Sequence, residues 1–159
     1  MHTFLRTLFI GTVLAVGGVA EVSAATADPF VGTWTLNVEK SKFNPGPAPK
    51  SQTRVYAESA DGISMKVTGV AADGKAISGE SNYKYDGKDY PITGSPNFDT
   101  LSLKRVNGST VKSTQKKAGK VVGSTTRTVS AHGKVLTLTS KGTDSKGVPY
   151  DDVTVFDKQ

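Results

Sequence analysis

A glycine-centred turn signal recurs along the chain at spacings that leave room for strands and little else. Ala60-Asp61-Gly62, Ala72-Asp73-Gly74, Asp86-Gly87, Asn107-Gly108, Ala118-Gly119, His132-Gly133 and Lys146-Gly147 set successive glycines about 11 to 21 residues apart. Asp-Gly and Asn-Gly suit two-residue hairpin turns, because both central positions take a positive φ that glycine, asparagine and aspartate tolerate best. Strands of about 6 to 10 residues fit between such turns. The intervening segments alternate with period two. Ile63, Met65 and Val67 oppose Ser64, Lys66 and Thr68; Leu101 and Leu103 oppose Ser102 and Lys104; Leu136 and Leu138 oppose Thr137 and Thr139. Val153 and Val155 mark the last strand. One apolar face per strand calls for an antiparallel sheet covered on a single side. A long run of hairpin-linked strands meets that need by closing on itself, which also removes its edges. The expected fold is all-β, an antiparallel up-and-down meander of about 8 to 10 strands closed into a barrel.

Two stretches break the rhythm. Asn44-Pro45-Gly46-Pro47-Ala48-Pro49 follows the first strand, and the segment from Pro91 to Asp99 crosses irregularly in mid-chain. In a barrel both belong at the rims, either as plain connectors or as partial covers of a mouth.

The front of the chain has a different character. A short basic start, Met1 to Arg6, precedes an apolar run from Thr7 to Ala20, and Val22-Ser23-Ala24-Ala25 offers the small-x-small pattern that a signal peptidase reads. That run is shorter than the ~20 apolar residues a membrane-spanning helix needs. Residues 1–24 are therefore expected to be a cleavable signal peptide and residues 25–159 a single domain, periplasmic or secreted and without a stable membrane anchor. Cysteine is absent, so neither a disulfide nor a lipid-bearing thiol is available. The net charge of +6 survives cleavage, because Arg6 and Glu21 leave together. The lysines are scattered through turns and polar strand positions, as Lys75, Lys88, Lys120, Lys134 and Lys146 illustrate. Such a distribution suits solvated turns and blunted strand edges better than a nucleic-acid partner.

The first strand of the expected mature domain reads Phe30-Val31-Gly32-Thr33-Trp34-Thr35-Leu36, with Phe43 further on. This resembles the opening of lipocalins and of intracellular fatty-acid-binding proteins, whose first strand carries a Gly-x-Trp. Segments such as Lys40-Ser41-Lys42-Phe43 and Tyr85-Asp86-Gly87-Lys88-Asp89-Tyr90-Pro91 resemble exported bacterial lipocalin-like proteins without assigned function, over most of the mature chain. The resemblance implies a calycin-type barrel with Gly32 and Trp34 as its structural signature, the tryptophan closing one end against a basic side chain from a late strand. The sequence departs from fatty-acid-binding proteins at two places. Pro45, Pro47 and Pro49 stand where those proteins carry two capping helices, and the last strand reads Val153-Thr154-Val155-Phe156, without their Arg-x-Tyr. The identity of a ligand is therefore not carried over.

Catalytic constellations are not evident. His132 is the one histidine of the expected mature chain, and it sits in a turn. Asp151 and Asp152 are adjacent on a strand, so they face opposite ways. No cluster has metal-ligand spacing, and no cofactor is expected. Following apolar parity instead places a few polar groups inside the barrel. Arg105 continues the row of Leu101 and Leu103, and Arg127 shares a row with Val121 and Val129. Gln115 continues Val111 and Ser113, and Tyr83 and Tyr85 follow Ile77. These five residues are the candidate ligand-binding set. They suggest a non-catalytic binding protein for a small hydrophobic or amphipathic molecule, with guanidinium groups suited to an anion. The alternative is an interaction module whose interior is filled by its own side chains and whose outer surface meets a protein or a cell-envelope polymer.

Overall fold

Alternating apolar residues between glycine turns produce the expected meander. The computed structural model describes residues 27–159, so the expected signal peptide lies outside the described residues. Ten strands follow in order: β1 (Gly32–Lys42), β2 (Ser51–Ser59), β3 (Gly62–Val70), β4 (Ala76–Tyr83), β5 (Asp86–Pro91), β6 (Thr100–Asn107), β7 (Thr110–Lys117), β8 (Lys120–Val129), β9 (Val135–Thr143) and β10 (Pro149–Lys158). Every ladder is antiparallel, and the sheet order is β4-β3-β2-β1-β10-β9-β8-β7-β6-β5. Except for β4 and β5, chain neighbours are sheet neighbours, with β1 pairing β10 to bring the two ends of the meander together. Between β4 and β5 no ladder forms. There the barrel is joined by one bridge, in which Glu80 and Thr93 exchange backbone hydrogen bonds of 3.0 and 3.1 Å. The Ser81 hydroxyl adds a 2.8 Å bond to the Pro91 carbonyl. The result is a nearly closed all-β barrel.

The turns sort the barrel into two ends. The β2–β3, β4–β5, β6–β7 and β8–β9 connections share one end with the segment before β1, and that end is plugged. Phe30, Trp34, Tyr56, Tyr83, Leu103, Val111, Leu136 and Phe156 are all buried among one another. The Trp34 indole donates to the Phe30 carbonyl at 2.8 Å, which ties the incoming segment across the barrel floor. The basic side chain over Trp34 is Lys158, whose Nζ lies 5.0 Å from the ring centroid. This gives the Gly-x-Trp signature a steric cause. Gly32 has φ 136°, and a Cβ there would meet Lys158 Cε at 2.7 Å. The flexible lysine tip can give way, so the demand for glycine comes chiefly from the positive φ, which side chains rarely adopt.

Two features of the strand pattern differ from expectation. Val121 does not share the inward row of Arg127 and Val129, and it is 66% exposed. A register shift opposite Gln115 and Lys116 pairs them with Gly123 and Val121, so the extra residue Val122 resets the parity. In β10 the inward row is Tyr150, Asp152, Thr154 and Phe156, and Val153 and Val155 belong to the other face.

The plug also sets an alkaline limit on stability. Burial pushes the Tyr83 phenol well above its usual value, with Arg127 pulling it part of the way back. Burial, then the neighbouring Tyr83 and Asp28, raises Tyr85 as well. A phenol raised in the folded state keeps its full contribution below the unfolded pKa of about 10 and loses it as pH climbs beyond. Tyr56 shifts the opposite way and offsets part of this loss. Urea midpoints are therefore expected to fall between about pH 10 and 12, and Tyr83→Phe should flatten that fall.

Candidate functional site

The opposite end of the barrel is open, and beneath it lies a cavity of about 470 Å³. Its mouth is made by the two stretches that interrupt the strand rhythm. Phe43, Pro47 and Pro49 line it from the β1–β2 loop, and Ser95, Pro96, Asn97 and Phe98 from the β5–β6 loop. Both loops are tied to the β9–β10 hairpin. Asn44 donates its N–H to Asp152 Oδ1 at 2.8 Å and accepts from the Asp151 N–H at 2.7 Å. The Asn97 side-chain oxygen accepts from the Ser145 N–H at 3.1 Å.

Arg127 lies at the floor of this cavity, where the open part of the barrel meets the plug. It is 5% exposed, and its Nε and Nη1 are buried without a hydrogen-bond partner. Burial works against its charge, but the surrounding phenols of Tyr56, Tyr83 and Tyr85 hold its pKa above the usual guanidinium value. The group is a fixed cation with spare donors. Beside it, the Tyr56 hydroxyl is likewise buried and unpartnered. Burial pushes that phenol up, but the positive fields of Arg127 and then Arg54 outweigh it, so its pKa falls below the usual range. Arg54 lines the cavity from β2, with its Nε donating to Gln52 Oε1 at 3.1 Å and its guanidinium 5.2 Å from the centre of the Phe156 ring. Asp152 lines the cavity at the mouth. Burial raises its pKa, and the bond from the Asn44 N–H offsets part of that rise.

The residues singled out from sequence divide between the two ends. Arg127 and Gln115 face the cavity. Arg105, Tyr83 and Tyr85 sit at the plugged end around a small outer crevice. Arg105 pairs there with Asp28 and donates to the Gly108 carbonyl at 3.2 Å, with its guanidinium 4.1 Å from the Tyr85 ring centroid and 5.7 Å from that of Phe30. Its charge is already matched by a carboxylate, so it latches the segment before β1 and does not share a site with Arg127. Gln52, Arg54, Tyr56, Tyr150 and Asp152 are missing from the expected set. Their signal was present as polar residues at alternate positions of β2 and β10, masked by Val55, Val153 and Val155 in between. His132 is exposed in the β8–β9 turn. Among the described residues no group of three His, Cys, Asp or Glu side chains is placed to hold a metal ion.

No protein-family model matches the chain, and no curated protein matches it significantly. Among solved structures, the zebrafish ileal bile-acid-binding protein, crystallised with cholic acid, matches at a TM-score of 0.50 and 14% identity. The match covers 82% of this chain and 99% of the other. The barrel is of the calycin type. The described residues carry loops at the mouth and no helix.

Proposed function

We propose that this chain is an exported, non-catalytic binding protein that holds a small amphipathic acid inside the barrel, with the acid group against Arg127. The observation that carries the reading is the unpaired guanidinium at the cavity floor. A buried cation without a counter-ion is costly, and the cost is offset when an anion enters and fills the vacant donors. The only carboxylate lining the cavity among the described residues is Asp152, and it is engaged at the mouth with Asn44. The apolar walls supply room for the remainder of such a molecule. The zebrafish barrel, solved with cholic acid, is a precedent for an acid inside this fold. Export rests on the pattern from Met1 to Ala25. A cavity of about 470 Å³ disfavours the alternative in which the interior is filled and only the outer surface works.

Titration with alkyl carboxylic acids and with primary alcohols of the same chain length tests this reading. The acids are expected to bind at least about tenfold more tightly, since a charge-assisted pair replaces a neutral contact at a desolvated site. Equal affinity for acid and alcohol would overturn it.

A further inference from the structure

Of the glycine turn signals, Asn107-Gly108 alone carries an amide. The chain has five asparagines, and only Asn107 is followed by glycine. Asn44 precedes Pro45, which has no backbone N–H, and the Asn37 side chain donates to Asp157 Oδ2 at 2.7 Å. Asn82 and Asn97 precede Tyr83 and Phe98, whose side chains crowd the backbone nitrogen that follows the amide. The turn is open around Gly108, where even a Cβ would meet no atom within 4 Å.

This turn joins β6 to β7 at the plugged end, with Asn107 and Gly108 exposed. Asn107 Oδ1 accepts from the Ser109 N–H at 3.0 Å and from the Ser109 hydroxyl at 3.3 Å. Both donors draw electron density from the carboxamide carbon and stand where negative charge would build on its oxygen. The same turn fastens the plug. The Gly108 carbonyl accepts from Arg105 Nη1 at 3.2 Å, and the Ser109 carbonyl accepts from the Val129 N–H at 2.9 Å. Arg105 in turn holds Asp28, just ahead of Phe30.

We infer that Asn107 is a self-modification site: the turn converts it to aspartate and isoaspartate, and the isoaspartate loosens the fastening of the plug. The Gly108 nitrogen, after giving its proton to hydroxide, forms a bond to Asn107 Cγ. The Cγ–Nδ2 bond then breaks, Nδ2 takes a proton from water and leaves as ammonia, and a cyclic succinimide remains. Water opens the ring at either of its carbonyls. One opening gives aspartate. The other gives isoaspartate, in which the main chain runs through Cγ and is longer by a methylene. The longer chain displaces the Gly108 and Ser109 carbonyls from Arg105 and Val129. The Asp-Gly turns react more slowly, because an ionised carboxylate must be protonated before its oxygen can leave.

Incubating the purified protein in heavy-oxygen water at mildly alkaline pH, with peptide mass spectrometry over time, tests this. Asn107 is expected to convert first among the five asparagines, and its product to carry heavy oxygen from the ring opening. Ser109→Ala removes one of the two donors and should slow conversion about threefold, the effect of one neutral hydrogen bond. Gly108 lies outside the left-handed region, so a side chain fits its backbone. Gly108→Val crowds the attacking nitrogen and should slow conversion at least about tenfold. Ion exchange then separates the isoaspartyl protein, whose urea midpoint should lie below that of Asn107→Asp, a variant of equal charge without the extra methylene. Conversion of another asparagine first, or a rate unchanged in both variants, would overturn the site. Equal midpoints for the isoaspartyl protein and Asn107→Asp would overturn its effect on the plug.

Discussion

Arg127→Met is expected to stabilise the empty protein while weakening its hold on an acid. The Arg127 side chain is buried with Nε and Nη1 unpaired, so the folded state carries a desolvated charge that the unfolded state exposes to water. Replacing buried charged groups by apolar side chains of similar volume is often stabilising by about 1–4 kcal/mol. Methionine is the suitable substitute because its flexible thioether fills an irregular site without branching into the neighbouring strands. Urea unfolding should therefore show a higher midpoint with an unchanged slope. Titration with an alkyl carboxylic acid should show affinity lowered by at least about tenfold, the cost of losing one charge-assisted contact. Tyr56 supplies an internal check. Without the field of Arg127, its pKa should move up, with Arg54 still opposing the effect of burial, and tyrosinate absorbance would follow the rise. A variant that binds acids as well as the wild type would remove Arg127 from the site, whatever its stability.

Trp34→Ala is expected to have the largest effect on stability. The indole is fully buried at the centre of the plug, and it holds three things together. Its ring fills the barrel floor, its N–H carries the 2.8 Å bond to the Phe30 carbonyl, and its face carries Lys158. Truncating a buried tryptophan to alanine costs about 3–5 kcal/mol, against a total of about 5–15 kcal/mol for an ordinary domain. Urea unfolding followed by far-ultraviolet circular dichroism measures this, since the substitution removes the chain's one tryptophan. Trp34→Phe keeps most of the apolar volume and loses the hydrogen bond, so its cost should be nearer 1–2 kcal/mol. If Trp34→Ala and Trp34→Phe cost the same, the plug depends on the bond to Phe30 and not on packing.

The barrel was legible because most strands obey a simple rule, apolar inward and polar outward. Met65, Val67, Leu101, Leu103, Leu136 and Leu138 follow it, and all are buried. The rule fails where the interior is itself polar. In β2 the inward residues are Gln52, Arg54 and Tyr56, with Val55 partly exposed between them; in β10 they are Tyr150, Asp152 and Thr154. A reading that seeks the apolar face selects the wrong row in such strands, and it passes over the residues that line a cavity. Arg127 and Gln115 were recoverable because apolar neighbours at the plugged end, Val129 and Val111, fix their parity. Arg105 was recoverable as an inward position, but its partner Asp28 precedes the first strand, and no local pattern links residues 77 positions apart. The register shift that exposes Val121 is equally invisible to alternation, because one extra residue reverses every face beyond it.

The pairing of β1 with β10 has a consequence for how the chain assembles. Each hairpin joins strands that follow one another, and its loop can close early at little entropic cost. The contact between Asn37 and Asp157 spans 120 positions. Without β10 the pairing falls into two separate ladders, β1 to β4 and β5 to β9, linked only by the Glu80–Thr93 bridge, and Trp34 lacks the lysine that covers it. Closure is therefore a late, non-local event of the kind that slows folding. Because Lys158 belongs to β10, the pairing that joins the two ladders also covers Trp34 and finishes the plug.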